Sequence, residues 1–182
     1  MPETAAPKSV TRVVLVGFMG SGKTSVGREL AALLGFSFLD LDALIEERTG
    51  RRVAEIFHES GEPFFREQER AAARLAAERQ ACVIATGGGA FAEQETREIL
   101  GRGSVCVYLR CDLETALGRL GADNSRPLSG NRETMAKLLA AREPSYRAAD
   151  VSLDGSHGTP AELAAEIVRA LVSPRLESDE RR

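Results

Sequence analysis

The stretch Arg12-Val-Val-Leu-Val16-Gly17-Phe-Met-Gly20-Ser21-Gly22-Lys23-Thr24-Ser25-Val26 decides how this chain folds. Arg12 to Val16 reads as a buried strand, too short and too β-branched for a helix. Gly17 to Thr24 completes the pattern GxxxxGK[ST]. Val26, Leu30, Leu33 and Leu34 then recur at helical spacing, with Gly35 placed to close the helix. Strand, glycine loop and helix in that order form a phosphate-binding loop. Its glycines let backbone N–H groups turn inward onto phosphate oxygens, and the helix N-terminus adds partial positive charge. Lys23 is placed to reach the β- and γ-phosphates, and Thr24 offers a hydroxyl to Mg²⁺. Gly20, Ser21, Gly22, Lys23, Thr24 and Ser25 are therefore the expected contacts of a nucleoside triphosphate.

Outward from this loop, short apolar runs alternate with amphipathic ones. Phe36 to Leu41, Ala81 to Ala85, Ser104 to Leu109 and Val151 to Leu153 read as further strands, and their continuous apolar character suits a parallel sheet covered on both faces. Leu113, Ala116, Leu117 and Leu120 form a helical stripe that Asp112 opens as N-cap and Gly121 ends. Met135, Leu138 and Leu139 make another, expected to stop before Pro144. Leu163, Ile167 and Leu171 make the last, after a Thr159-Pro160 start. The alternation predicts βαβ units and a doubly wound α/β fold. Residues 10–172 are expected to form one domain, with 1–9 and 173–182 as disordered tails. Two segments exceed what a crossover needs. Residues 42–79 suggest a substrate-binding insert, and 121–132, polar and holding Pro127 and Gly130, suggest a mobile lid, although a solvated connection would look the same.

Composition narrows the function. Of 182 residues, 43% are hydrophobic and 28% charged, which is the profile of a globular domain rather than a disordered or repetitive chain. A net charge of −3 argues against non-specific nucleic-acid or membrane-surface binding. No apolar run is long enough to span a bilayer, and MPETAAPKS lacks the apolar core of a secretory signal. Cys82, Cys106 and Cys111, without a CxxC pair, read as small buried hydrophobes in a reducing compartment. Together these features point to a cytoplasmic chain. Neither DxxG nor NKxD occurs, which argues against a GTPase, and Leu128-Ser129-Gly130 stops short of a transport-ATPase signature.

The remaining chemistry sits at predicted strand ends, where open α/β sheets bind ligands. Phe38-Leu39-Asp40-Leu41-Asp42 ends the second strand. Strand alternation would put Asp40 and Asp42 on one side, one to hold Mg²⁺ through water and one to accept a hydroxyl proton. Asp42 as N-cap of a following helix is an equally good local reading. Thr86-Gly87-Gly88-Gly89 follows the third strand and exposes backbone to whatever approaches it closely, unless it is an ordinary turn. Arg66, flanked by Phe64 and Phe65, and Arg142, at an expected helix end, are candidates to grip a carboxylate or a phosphate. Arg126, in the expected lid, could close over a transferring phosphoryl group.

In this order, GFMGSGKTSVGRELA, FLDLD, IFHESGEPFFR, VIATGGGA, NSRPL and REPSYR resemble the shikimate kinase family from about Val13 to Asp150. The resemblance implies a nucleoside-monophosphate-kinase-like, three-layer α/β/α fold with a five-stranded parallel sheet and a mobile lid. It implies transfer of the γ-phosphoryl of ATP, with Mg²⁺, to the 3-hydroxyl of shikimate, on the chorismate route to aromatic amino acids. By position, Asp42 would hold the shikimate hydroxyls and accept the proton, and Asp40 would support Mg²⁺ through water. Arg66 and Arg142 would clamp the carboxylate, and Gly87, Gly88 and Gly89 would line the site. Lys23 and Arg126 would stabilise the transferring phosphate. Residues 154–160 align with the adenine-side loop without naming a contact. Ser25 and Ser129 depart from the common pattern and remove no functional group. The residues alone leave open a gluconate or nucleoside monophosphate kinase, or a catalytically silent ATP-binding module. A monomer is expected, because the helices leave no exposed apolar stripe.

Overall fold

The computed structural model describes residues 10–120 and 132–172. The expected lid, except Arg132, lies outside them, and with it Arg126; so do 1–9 and 173–182. Five parallel strands form one sheet: β1 (Arg12–Val16), β2 (Ser37–Asp40), β3 (Cys82–Ala85), β4 (Val105–Arg110) and β5 (Val151–Asp154), in the order β2-β3-β1-β4-β5. Chain order reverses across β1, so the loop after β1 opens into the crevice where such sheets bind ligands.

Seven helices are assigned among the described residues: α1 (Lys23–Leu34), α2 (Leu41–Thr49), α3 (Val53–Ala77), α4 (Gln94–Gly101), α5 (Leu113–Leu120), α6 (Arg132–Tyr146) and α7 (Pro160–Val172). Alternate residues of the central strands face two separate cores. Val13, Leu15, Val83, Val107 and Leu109 pack under α1 and α7 against Val26, Leu30, Leu163 and Ile167. Val14, Val16, Ile84, Cys106 and Tyr108 face Leu41, Ile45, Ile56, Phe65, Leu100, Met135 and Tyr146 from α2, α3, α4 and α6. The architecture is the three-layer α/β/α sandwich that alternating strands and helices predict. Gly27 makes one contact of this packing possible, since a methyl there would lie 2.6 Å from the Phe38 ring.

The expected helix boundaries meet mixed outcomes. Gly35 closes α1 in the left-handed conformation at φ 66°, donating to Ala31 and Ala32 carbonyls. Asp112 accepts from the Thr115 amide at 2.8 Å and its hydroxyl at 2.7 Å, capping α5. Thr159 and Glu162 cap α7 reciprocally, at 2.7 and 3.3 Å. Three expectations are corrected. The second strand ends at Asp40, and Asp40 rather than Asp42 caps α2, its Oδ1 accepting from the amides of Asp42 and Ala43 at 3.0 and 3.3 Å. α6 runs through Pro144 to Tyr146, so Arg142 lies inside a helix instead of at its end. A helix that the sequence reading does not name, α4, follows the triple glycine; its inward side consists of little more than Thr96 and Leu100.

Candidate active site

The loop from Gly17 to Gly22 turns because glycine allows it. Gly17, Gly20 and Gly22 have φ of 144°, 77° and 90°, where side chains are strained. At Gly17 and Gly20 space also forbids one, as a methyl would sit 2.6 Å from the carbonyl oxygens of Leu109 and Ala116. The nearly buried Lys23 ammonium lies within this loop and donates to the carbonyls of Gly17 and Phe18 at 2.9 and 2.8 Å and to Ser21 Oγ at 3.3 Å. The loop thus wraps around its own lysine at the N-terminus of α1, a place that favours an anion.

Thr24 Oγ1 donates to Asp40 Oδ2 at 2.8 Å. That bond commits the hydroxyl proton and leaves oxygen lone pairs for a cation, with a carboxylate alongside. Two hard oxygen donors fit Mg²⁺. Among the described residues no group of three His, Cys, Asp or Glu side chains could cage a metal, so a cation here would draw its remaining ligands from phosphate and water.

Beside the phosphate loop the triple glycine packs close against the chain's own side chains and backbone. A methyl on Gly87 would lie 2.7 Å from Asp42 Oδ1; one on Gly88 would lie 3.7 Å from an Arg142 nitrogen and 3.2 Å from the Met19 amide; one on Gly89 would lie 2.6 Å from both terminal nitrogens of Arg66. None of the three glycines has positive φ, so the requirement is space and not backbone conformation. The sequence anticipates something close to this backbone; what arrives are the chain's own carboxylate and guanidinium groups. Asp42 reaches it from the first turn of α2, not from a strand as alternation suggested.

Arg66 owes its place to a break in α3. Gly61, at φ 78° and ψ 174°, interrupts the helix, and Pro63 starts the second segment, a position that needs no N–H. The guanidinium donates to Glu62 Oε1 at 2.8 and 3.1 Å and to Glu69 Oε2 at 2.7 Å, with Phe65 beneath it, the carbon of the guanidinium 5.4 Å from the ring centre. Glu69 is 1% exposed, and its Oε1 has no hydrogen-bond partner among the described residues. Burial pushes its carboxyl up to about 7, against the pull of Arg66, with Asp42 and Glu93 adding to the rise. Burial opposes the Arg66 charge as well, but Glu69 and Glu62 more than offset it and hold the guanidinium above its ordinary value.

Two residues packed into the site escape the sequence reading. Glu69 stands three residues after Arg66 on one helix face, a spacing that could have flagged it. Arg119, on α5, donates to the Gly20 carbonyl at 3.3 Å and the Gly155 carbonyl at 3.0 Å, tying the phosphate loop to the loop after β5. No local pattern marks it, because its partners lie 99 and 36 residues away.

A glycine cradle with a lysine, hard donors for a cation and a separate pocket bearing a carboxylate and two arginines define a P-loop phosphotransferase for a small anionic acceptor. A family model described as shikimate kinase matches residues 19–172. A shikimate kinase of Moorella thermoacetica is 52% identical over 162 residues, covering 87% of this chain and 93% of the relative. One from Geobacter metallireducens is 42% identical over 166 residues, covering 90% and 93%. The solved shikimate kinase from Acinetobacter baumannii in complex with shikimate superposes with a TM-score of 0.89 at 38% identity, over 93% of this chain and 97% of that one. This chain belongs to the shikimate kinase family.

Proposed function

We propose that this chain transfers the γ-phosphoryl group of ATP to the 3-hydroxyl of shikimate, giving shikimate 3-phosphate and ADP on the route to chorismate. The observation that carries the reading is the seating of Asp42, Arg142 and Arg66 on Gly87, Gly88 and Gly89, beside the phosphate loop. Shikimate offers a carboxylate for a guanidinium clamp and hydroxyls for a carboxylate. Arg66 and Arg142 would grip the carboxylate, with Arg66 already charged and aimed by Glu62 and Glu69. Asp42 would then orient the acceptor hydroxyl.

The hydroxyl oxygen forms a bond to the γ-phosphorus as the bond to the β–γ bridging oxygen breaks; the hydroxyl proton passes to Asp42 and ADP leaves. The transition state is loose, so positioning and charge neutralisation supply most of the rate. Lys23 would exchange its loop carbonyls for β- and γ-phosphate oxygens, and Arg126 would add charge beside them. Thr24 would hold Mg²⁺ directly and Asp40 through water. When bound, the cation neutralises charge on the β- and γ-phosphate oxygens. Glu69 is buried and so is Asp42 Oδ1, which strengthens the electrostatic contacts made there.

The same reading takes the chain as a cytoplasmic monomer. Supporting it, the large apolar side chains exposed among the described residues, Leu33, Leu75 and Val172, are scattered over α1, α3 and α7, and the three cysteines are free and buried. Among the described residues no helix is long and apolar enough to cross a membrane. A coupled assay of ADP release, run with ATP and Mg²⁺ against shikimate, quinate, gluconate and AMP, tests the activity. Stimulation by shikimate alone is expected. Stimulation by another acceptor reassigns Asp42, Arg66 and Arg142 to it, and ATP binding without any stimulation replaces the enzyme with a regulatory module.

A further inference from the structure

We infer that Tyr146 is the positioning residue that locks the acceptor pocket together, its one hydroxyl holding both the Gly88 carbonyl and the Arg142 guanidinium in register. The inference rests on the reading that Arg142 grips the acceptor's carboxylate.

Tyr146 closes α6 four residues after Arg142, so the two side chains rise from one face of the helix. Its ring is fully buried and packs against Tyr108 of β4, with ring centres 5.3 Å apart at 34°. Packing therefore fixes where the phenol oxygen points. That hydroxyl donates to the Gly88 carbonyl, 58 residues away in sequence. The Arg142 guanidinium lies beside the same glycine, a nitrogen 3.7 Å from where a methyl on Gly88 would sit, and its positive charge acts on the phenol. A phenol has one proton and accepting lone pairs, so the oxygen that donates to Gly88 can also accept from a guanidinium beside it.

The consequences reach both arginines. Arg142 is steadied directly. The Gly88 carbonyl shares a planar peptide with the Gly89 amide, so fixing one end fixes the other. Gly89 is the floor under Arg66, whose nitrogens leave no room for a methyl there. Tyr146 thereby sets the spacing between the two guanidinium groups without meeting the acceptor. Burial pushes its phenol up to about 12, against the pull of Arg142, so the proton that holds Gly88 stays in place throughout the range of an assay.

Tyr146→Phe removes the hydroxyl and keeps the ring. Loss of a buried hydrogen bond that only the acceptor pocket uses should raise the KM for shikimate roughly tenfold, with kcat and the KM for ATP within about twofold of the parent. Calorimetric titration of shikimate, run well below the variant's melting midpoint, should show the same weakening. Tyr108→Phe alters the partner ring of the pair and should leave all three constants unchanged. In an Arg142→Lys background, Tyr146→Phe should add little, because both changes act through one contact. A parallel rise in both KM values or a collapse of kcat would mean general loosening and overturns the inference. An unchanged shikimate affinity in Tyr146→Phe, while Arg142→Lys weakens it, overturns the inference alone. Unchanged affinity in both variants overturns the carboxylate clamp and this inference with it.

Discussion

The phosphate loop takes its groups from eight consecutive residues, Gly17 to Thr24, whereas the acceptor side gathers Asp42, Arg66, Glu69 and Arg142 from three helices onto Gly87 to Gly89. The first relies on backbone: left-handed glycines and the start of α1 present N–H groups whatever lies elsewhere in the chain. The second relies on side chains packed against backbone from afar, and its arginine and glutamate are paired before any acceptor arrives. Contiguous phosphate recognition suits a group common to every nucleotide, and an assembled pocket can be specific for one acceptor. Substitutions should therefore separate cleanly, those in the loop acting on ATP and those in the pocket acting on shikimate.

The largest effect is expected at Asp42. Asp42→Asn keeps the size of the side chain but cannot take a proton, and kcat should fall roughly a hundredfold or more while ATP affinity stays within a few-fold. Steady-state kinetics with direct titration of ATP checks it, and normal turnover would remove Asp42 from the proton's path. Next comes a glycine on each side. Gly89→Ala places a methyl 2.6 Å from two Arg66 nitrogens and should raise the KM for shikimate by roughly tenfold or more, leaving the KM for ATP alone. Gly22→Ala meets only an Arg119 guanidinium nitrogen, at an ordinary 3.7 Å, and is opposed by its φ of 90°, so it should weaken ATP and spare shikimate. If both substitutions moved both constants together, the separation between the two sides would fail. Arg142→Lys exchanges a planar fork for a point charge, and a rise of several-fold to roughly tenfold in the shikimate KM is expected.

The same contrast explains what the sequence made legible. A phosphate loop can be read from a line of text because its donors follow one another, and the flanking strand and helix carry their own periodicity. The caps at Gly35, Asp112 and Thr159 are equally local, and all three hold. Asp42 reads from sequence as a possible cap of the following helix, yet the cap falls to Asp40, whose Oδ2 also takes the Thr24 hydroxyl. Pro144 was expected to end a helix, yet it costs that helix only one backbone bond near its terminus, and burying Tyr146 carries α6 two residues further. The triple glycine marked a place of close approach, but not that Asp42 and Arg142, a hundred positions apart, would meet there. α4 gave almost no signal, because a helix with two fully buried side chains has hardly any stripe.

Glu69 supplies the smallest and most diagnostic test of the acceptor side. Its carboxyl sits near 7 in the folded chain, above the ordinary 4.5, because burial and the neighbouring Asp42 disfavour its charge more than Arg66 favours it. A raised value means the folded chain holds this proton more tightly than the unfolded one. Its contribution to stability is thus full below about 4.5 and is lost as pH rises through about 7. Glu69→Gln has no such proton, so the stability of the parent relative to this variant should shrink between pH 4.5 and 7, by roughly 3 kcal/mol at most. Denaturant unfolding of both proteins at several pH values measures the gap. A gap that stayed constant would mean that Glu69 is ionised throughout and only anchors Arg66. A shrinking one would mean that this pocket keeps a carboxyl close to its titration midpoint at neutral pH, unlike the phosphate loop, where the only side-chain charge is Lys23. Acceptor binding should then carry a pH dependence that Glu69→Gln removes.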